Sequence, residues 1–411
     1  MVSRIDLRIS ESDIRRAIDP LVVDEVPVDP QEFFASVAWS LICEPGDSFA
    51  GALIEVFGAA NALTLELERT TPDAYLKLFR HQASDIAERF GRFDRTAREA
   101  RERWSSRMNL ERVVGACQEM SARGGWFVTE SYEFWPLAFG DLGNHSPRGL
   151  WGLGNPSSLS ELSNAVSFVG SRMSSTYGER ACEELVVPMV ERGYSIVSGG
   201  AYGIDAAAHR AALAANGVTF AMMAGGLDRS YPNGNIELFK AIMSGGALLT
   251  EMPPGSAPTK WRFLQRNRLI AALGEATIVV EANPRSGAVS TANRARELGR
   301  PIGAVPGPFD SAGSDGCHQL IRSGQAELIT CTSDIFEMIR GQSFGGADSE
   351  AGLGALETRV HDVIGFQGAD FESICAQAGL TKSEAEIGLA SLSLLGMIKK
   401  DANVWRRISG G

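Results

Sequence analysis

Apolar positions between residues 30 and 120 recur at helical spacing. The segment VDPQEFFASVAWSLI places apolar side chains on one helical face, and EPGDSFAGALIEVFGAANALTLEL combines a turn with another such face. The segments that follow are highly charged and amphipathic. We therefore predict a small helical domain, of the SAM or helix-hairpin-helix type, over residues 1–120.

The pattern changes at about residue 125 to short apolar runs, most of which end in small or polar residues. Helical patterns separate several of these runs. Alternation of strand and helix every 20 to 30 residues or so is typical of a doubly wound parallel sheet, which binds ligands at the carboxyl ends of its strands. We predict an α/β fold with an extended Rossmann-like, mostly parallel sheet over residues 121–340. The predicted strands are AVSFVG, YSIVSGG, TFAMMAGG, GALLTEM, ATIVVEA and RPIGAVPG.

The last part of the chain predicts a linker and a second, smaller domain. Residues 341–354, GQSFGGADSEAGLG, are rich in glycine, serine and acidic residues and lack a periodic apolar pattern, which is typical of a flexible linker. Beyond them, three helical patterns precede MIKKDANVWRRI, which predicts a short β-ribbon. Three helices and a ribbon predict a winged-helix-like domain over residues 355–411.

Composition narrows the possible functions. The chain has 411 residues and is acidic, with 50 Asp and Glu against 39 Lys and Arg. Six cysteines form no CxxC pair and five histidines lie far apart, so neither a disulfide framework nor a zinc module is expected. The amino-terminal segment lacks the apolar core of a secretory signal, and no stretch approaches the roughly 20 apolar residues that span a bilayer. We expect no membrane partner and a cytoplasmic location.

Four glycine-rich loops follow predicted strands. In the first, Gly170, Ser171 and Arg172 combine backbone amides that can approach an anion with a forked donor for phosphate. The GxxxxGK[ST] and GxGxxG signatures are absent, which argues against nucleotide hydrolysis and standard dinucleotide binding.

The second loop, IVSGGAYGIDAAAHRAAL, allows a tight turn and places Asp205 where it is expected to cap the next helix. His209 on that alanine-rich helix is interpreted as a packing or hydrogen-bonding residue. AGGLDRSYPNGN is the third loop. The fourth contributes Ser286, Gly287 and Thr291 near a helix start. Four such loops on one edge of a sheet predict a polar rim suited to phosphates.

The segment KWRFLQRNRLIAAL, residues 260–273, concentrates Lys260, Arg262, Arg266 and Arg268 around two aromatic residues. The surrounding region, 160–340, is close to neutral, with 16 basic and 17 acidic residues, so this cluster can dominate the local field. One interpretation is a solvated helix face with Trp261 and Phe263 in the core. The other is a site for single-stranded nucleic acid, where cations bind phosphates and a ring stacks on an unpaired base. Composition alone does not separate them.

The ordered motifs between about residues 135 and 335 closely resemble the DNA-processing protein A (DprA/Smf) family. The resemblance implies a protein without catalytic activity or cofactor that binds single-stranded DNA, loads the RecA recombinase on it, protects incoming DNA in natural transformation, and forms a homodimer through the Rossmann-like domain. It also implies a DNA-binding pocket formed by Arg172, Lys260, Phe263 and the segment Arg266, Asn267 and Arg268. The motifs are VGSRMSSTYG, SIVSGGAYGIDAAAHRAAL, GLDRSYPNGN, LLTEMPPG, FLQRNRLIAAL, VVEANPRSG and AVPGPFDSAGSDGCHQLIRSGQAELI.

The chain departs from the family pattern at several points. It has FLQRNR for FPxRNR and SGGAYGID for SGLAxGID, changes that remove no charged or aromatic group. In the amino-terminal region, CEPGDSFAG stands where a helix-hairpin-helix has a glycine-rich hairpin. The predicted winged-helix-like tail is acidic, which is as consistent with a protein contact as with a second DNA contact. The alternative function is a nucleotide hydrolase similar to the phosphoribohydrolases that resemble lysine decarboxylases. The chain lacks their PGGxGTxxE loop but has Glu281 at a predicted strand end.

Overall fold

The computed structural model describes residues 6–407 except 24–28, 85–87, 89, 91, 341–354, 365–367, 395 and 402–403. The chain divides into two compact units, Met1–Gln342 and Ser343–Gly411. The predicted linker lies outside the described residues. The predicted boundary at residue 120 falls inside the first unit and stays a prediction.

The amino-terminal region of the first unit is helical, as its apolar spacing predicts. Asp29 and Asp47 begin two of the helices by accepting hydrogen bonds from backbone amides of the first turn. Trp39 and Trp104 meet edge to face, with ring centroids 5.2 Å apart, at the centre of the helical core. The helices are α1 (Glu11–Ile18), α2 (Pro30–Ile42), α3 (Ser48–Phe57), α4 (Ala59–Leu67), α5 (Pro72–Gln82), α6 (Phe93–Ser105) and α7 (Leu110–Ser121).

Within the described residues, no single helix combines the length and apolar composition needed to cross a membrane. The pair formed by α3 and α4 passes that test only when the two helices are joined across a bend of 112°.

A nine-stranded sheet follows the helices. Its strands are β1 (Trp126–Val128), β2 (Leu150–Gly154), β3 (Ala165–Val169), β4 (Ser195–Ser198), β5 (Thr219–Met222), β6 (Ala247–Thr250), β7 (Thr277–Val279), β8 (Ile302–Ala304) and β9 (Glu327–Leu328). The spatial order is β1-β2-β6-β5-β4-β3-β7-β8-β9. Strands β3 to β9 are parallel, and β1 and β2 are added antiparallel next to β6. The predicted doubly wound, mostly parallel sheet is confirmed.

Helices cover the parallel strands, which explains why strands β3 to β8 are buried along their length. Strands β4, β5 and β6 extend the sheet on one side of β3, and β7 and β8 extend it on the other. Because these strands are parallel, the loops that follow them lie at the same edge of the sheet. The helices are α8 (Thr176–Glu191), α9 (Ile204–Ala214), α10 (Ile236–Gly245), α11 (Lys260–Leu273), α12 (Gly287–Glu297), α13 (Asp315–Arg322) and α14 (Thr332–Arg340).

The second unit contains three helices and an antiparallel β-ribbon, the elements that the sequence predicts for it. Strands β10 (Ala369–Asp370), β11 (Ile398–Asp401) and β12 (Val404–Arg407) form an antiparallel sheet in the order β10-β12-β11. Three helices pack around a small core that includes Ile374 and Leu389. They are α15 (Ala355–Val363), α16 (Phe371–Ala378) and α17 (Lys382–Leu394).

Candidate nucleic-acid interface

A pocket opens at the carboxyl edge of the sheet, beside the first turn of α11. Loops after β3, β4 and β5 form its walls, and α11 contributes one aromatic ring. The lining residues are Arg172, Gly199, Ala201, Tyr202, Met223, Ala224, Gly225, Gly226, Arg229, Tyr231, Pro232, Pro258 and Phe263. This is the edge at which doubly wound sheets bind ligands.

Phe263 lies at the centre of the charged side of this pocket. Its ring has the Arg172 guanidinium 4.9 Å from its centroid and the Arg266 guanidinium 5.8 Å away. The Tyr231 ring lies 5.9 Å from it, tilted by 57°. Helix α11 begins just before this ring because the Thr259 hydroxyl accepts a hydrogen bond from the Arg262 amide. Two cations and two aromatic rings are therefore concentrated at one helix start.

The loop after β3 positions Arg172. A Cβ atom at Gly170 would lie 2.6 Å from the Ile204 side chain, so only glycine allows the loop to pack so closely on α9. The Ser171 hydroxyl bonds to the backbone of Met173 within the same loop. The Arg172 side chain remains exposed. Gly170 and Ser171 therefore shape the loop that presents Arg172 to the pocket.

Arg266 supports the pocket from inside. It is 6% exposed, and its Nη1 donates to the carbonyl oxygen of Met222 at 2.7 Å. A Cβ atom at Gly199 would fall 1.9 Å from that same nitrogen. Burial lowers the pKa of Arg266 to about 10, against the opposing effect of the nearby Asp205 carboxylate. The guanidinium still carries its charge at neutral pH and holds loops after β4 and β5 around Phe263.

Asp205 does not cap α9 as expected from the sequence. The helix begins at Ile204 with Gly203 at its N-cap position, and the Asp205 carboxylate instead accepts a bond from the Ala201 amide at 3.4 Å. Burial raises the pKa of Asp205, while Arg266 and the surrounding amides lower it. A glycine takes the cap position because a Cβ at residue 203 would lie 2.1 Å from the Ser171 carbonyl oxygen.

His209 is a packing and hydrogen-bonding residue, as predicted. It is fully buried, and its Nδ1 lies 2.7 Å from the Thr219 hydroxyl oxygen. Burial, together with the charges of Arg266 and Arg210, lowers the pKa of His209 to about 3. The imidazole is therefore neutral at physiological pH.

The other predicted site residues occupy different surroundings. Lys260 is exposed at the first position of α11. Asn267 donates to the Gly287 carbonyl oxygen at 3.3 Å, and Arg268 forms an ion pair with Glu251 at 2.6 Å. Both side chains are buried.

The predicted residues at the start of α12 serve that helix. The Ser286 hydroxyl accepts a bond from the Val289 amide, and the Thr291 hydroxyl donates to the Gly287 carbonyl oxygen. Of the predicted residues, Arg172 and Phe263 line the pocket. A direct DNA contact by Asn267, Arg268 or this start of α12 stays a prediction.

Three exposed residues of the pocket are not among the site residues that the sequence predicts. Tyr202 and Tyr231 are each 48% exposed, and Arg229 has a side chain that is 62% exposed. The Tyr202 hydroxyl accepts a bond from the Gly234 amide at 3.1 Å, which fixes the ring at the mouth of the pocket. Their signal in the sequence is an aromatic or basic residue inside a glycine-rich loop, in GGAYG and DRSYP.

Glu281, at the end of β7, connects two loops of the same edge. It is 4% exposed and accepts bonds from both the amide and the hydroxyl of Ser175, the residue that caps α8. Within the described part of the chain, no group of three His, Cys, Asp or Glu side chains is arranged to hold a metal ion.

Comparisons with known proteins agree with this architecture. The sequence model of the family described as DNA recombination-mediator protein A matches residues 126–340. A DNA processing protein DprA of Mycobacterium tuberculosis is 40% identical over 325 residues, which cover 74% of this chain and 83% of the relative. The DprA of Bacillus subtilis is 36% identical over 228 residues, or 56% of this chain and 75% of that protein.

A solved structure extends the match beyond the sheet. The X-ray structure of DNA processing protein A from Streptococcus pneumoniae is 29% identical and superposes with a TM-score of 0.56, covering 76% of this chain and 98% of that one. The chain therefore belongs to the DNA recombination-mediator protein A (DprA/Smf) family, as its ordered motifs predict.

Proposed function

We propose that this protein binds single-stranded DNA through the pocket beside α11. The observation that carries the proposal is the Phe263 ring, which has Arg172 and Arg266 guanidinium groups within 6 Å and the Tyr231 ring beside it. A stacking ring combined with cations is how proteins hold single strands without reading their sequence.

We infer different roles for the charged groups in and near the pocket. Arg172 is exposed, and Lys260 is exposed about one helical turn before Phe263, so both are available for phosphates. Arg266 is buried and bonded to Met222, so it acts on the strand only through its charge and by supporting Phe263. Because the Arg172 guanidinium lies over the ring, a base that stacks on Phe263 displaces that guanidinium toward the phosphate.

The partners of this function are further parts of the proposal. Membership in the family supports loading of the RecA recombinase onto the bound strand, assembly of a homodimer through the Rossmann-like domain, and action without turnover of a substrate. Sedimentation of residues 120–340 at micromolar concentration tests the dimer, since a strict monomer at every concentration contradicts it.

The alternative function, a nucleotide hydrolase, assigns chemistry to Glu281. Both of its carboxylate oxygens accept bonds from Ser175, and a Cβ at Gly178 would lie 2.4 Å from the carboxylate. These contacts favour a role in joining the β3 and β7 loops. Incubation with nucleoside monophosphates tests the alternative directly, because a hydrolase of this type releases free base.

A salt titration comparing single-stranded with duplex DNA tests the proposal. We expect tighter binding of the single strand, with a log-log salt slope near −0.7 per phosphate contact, or roughly −2 to −3 for three or four contacts. Equal affinity for duplex DNA, or an affinity that does not change with salt, contradicts the proposal.

A further inference from the structure

Helix α11 separates two concave surfaces. Phe263 faces the pocket described above, and Trp261 faces a groove on the other side of the helix. We call it the Trp261 groove; it has a volume of about 730 Å³. Its walls come from residues 44–48, α6, residues 141–145, α11 and α12. They include the basic or aromatic residues Arg103, His145, Trp261, Arg268 and Arg294 and the acidic residues Glu44, Asp47, Asp141 and Glu297.

We propose that the Trp261 groove is a second stacking site for the same DNA strand, occupied after the strand leaves the Phe263 pocket. The inference rests on the proposed function of that pocket. Trp261 is 56% exposed, although indole rings of this size are usually well buried. An exposed ring in a groove with guanidinium groups has the composition of a single-strand binding surface.

The two surfaces are continuous across the first turn of α11. Residues 261 and 263 are two positions apart, so their side chains leave the helix about 200° apart and face opposite sides. Lys260 is exposed at that same turn, and the amides of the helix start add partial positive charge. A helix is about 10–12 Å across with its side chains, so a few nucleotides suffice to bridge the two rings.

The four acidic residues of the groove all have basic partners. Glu44 pairs with Arg262 and Arg107, and Asp141 pairs with Arg300 at 2.8 Å. Asp47 accepts bonds from the Trp104 indole at 3.0 Å and from Arg103 at 3.4 Å. Glu297 pairs with Arg294 at 2.7 Å. The Arg103 and Arg294 side chains nevertheless remain 56% and 39% exposed, so both can also contact a phosphate.

A second feature of the groove wall also favours an anion. Arg268 is 4% exposed, and its Nε and Nη1 atoms are buried without a hydrogen-bond partner although Nη2 binds Glu251. The Nε atom lies under Gly46, where a Cβ would approach it to 3.3 Å. Because Nε and Nη1 are buried, the guanidinium contributes positive charge behind the groove wall rather than a hydrogen bond to a ligand, in keeping with its ion pair to Glu251.

Oligothymidylates of two lengths test the inference, since a short strand fills one site and a longer one reaches both. We expect Trp261→Leu to weaken binding of a strand of roughly 15 nucleotides by about tenfold, the loss of one stacked base, and to leave a strand of roughly 2 nucleotides, too short to reach both rings, unaffected. Trp261→Phe, which keeps a ring, should restore most of the affinity. Thermal unfolding checks that both variants fold, which the exposure of Trp261 favours.

The same titrations separate this inference from the proposed function. If Phe263→Ala weakens both strands and Trp261→Leu weakens neither, the pocket binds DNA and the groove does not, which overturns the inference. If Trp261→Leu weakens both strands equally, Trp261 belongs to the first site and the inference is equally overturned. If Phe263→Ala has no effect on either strand, the proposed function itself fails.

Photocrosslinking gives an independent measurement. A long oligothymidylate with one 5-iodouracil at successive positions should crosslink to the peptide containing Trp261 at some positions only, a few nucleotides from those that crosslink near Phe263. Absence of any crosslink to that peptide, while the pocket crosslinks, contradicts a second site in the groove.

Discussion

The two halves of α11 both contain basic residues, but in opposite surroundings. In the first turn, Lys260 and Trp261 are exposed and Phe263 is half-buried. In the next turns, Arg266 and Arg268 are at most 6% exposed and bind a backbone carbonyl and a carboxylate of their own chain. One helix thus combines an exposed basic and aromatic first turn with buried guanidinium groups that bind groups of their own chain.

The comparison shows that a cluster of cations in a sequence is not one functional unit. Arg262 belongs to the first turn, yet its guanidinium donates twice to Glu44, at 2.7 and 3.1 Å, and so joins α11 to the helical region. The surroundings of each side chain, rather than its residue type or its turn of the helix, decide whether a cation is exposed or holds the scaffold together. The following predictions test that division, beginning with the largest effect.

Breaking the buried ion pair should have the largest consequence. Arg268→Ala removes the ion-pair partner of the largely buried Glu251 carboxylate, and the loss of such a partner typically costs about 3–5 kcal/mol of folding free energy. Urea unfolding of the variant and the parent measures this loss. The double variant Arg268→Ala/Glu251→Ala should lose less than the sum of the single variants, because the two groups interact directly.

Lys260→Ala is the matched control from the exposed half of the helix. Its free energy of unfolding should stay within about 0.5 kcal/mol of the parent, as for most surface substitutions. If Arg268→Ala is as stable as Lys260→Ala, the buried half of α11 is not an ionic support and the division is wrong.

Removal of the Phe263 ring should give the next largest effect, and this effect should be on DNA binding rather than on stability. Phe263→Ala should weaken binding of a short oligothymidylate by about 1–3 kcal/mol per stacked base, with little change in the salt slope. Because the Arg172 guanidinium lies 4.9 Å from the ring, Arg172→Ala and Phe263→Ala should not be additive. A double-mutant cycle on the dissociation constants measures the coupling.

Phe309 provides a control for the ring itself. It follows β8 at the same edge of the sheet and is 91% exposed, but it does not line the pocket. Phe309→Ala should leave the binding of the short strand unchanged. Equal losses for the two phenylalanine variants would mean that any exposed ring on this edge contributes, and that the pocket has no special role.

Parts of this architecture could be predicted from sequence because they depend on local patterns. Strands β3 to β8 are apolar runs that end in small or polar residues, and each was predicted. The short antiparallel strands β1 and β2 are not predicted from the sequence, because β2 forms by pairing with β6, about a hundred residues later. Likewise, the orientation of Arg266 away from solvent depends on how α11 packs on the sheet, which no local spacing specifies.

The burial of His209 near Arg266 also predicts that the folded protein loses stability in acid. Burial and the charge of Arg266 hold the pKa of His209 at about 3, below its usual value near 6.5. The unfolded chain therefore binds a proton between these values and the folded protein does not, so stability is complete above pH 6.5 and falls as pH is lowered. Between neutral pH and pH 5.5, His209 alone should cost on the order of 1 kcal/mol.

Unfolding at both pH values, in the parent and in His209→Gln, measures this contribution. The glutamine variant should lose less stability than the parent as pH falls, since it cannot bind the proton. His81 on α5 is exposed, and His81→Gln controls for the replacement itself, since a surface substitution should change the free energy of unfolding at neutral pH by no more than about 0.5 kcal/mol. A glutamine variant at position 209 with an unchanged pH dependence would show that His209 does not titrate as proposed.

The smallest expected effect separates two neighbouring cations of the first turn. Lys260 is exposed and free to meet a phosphate, so Lys260→Ala should reduce the steepness of the log-log salt dependence by about 0.7, the share of one contact. Arg262 already holds Glu44, and its side chain is only 14% exposed, so Arg262→Ala should leave the salt slope unchanged while weakening the attachment of α11 to the helical region. Binding titrations from low to moderate salt with one single-stranded oligonucleotide measure both slopes. If the two variants lower the slope equally, the contact with Glu44 does not withdraw Arg262 from the DNA, and the first turn acts as a uniform basic surface after all.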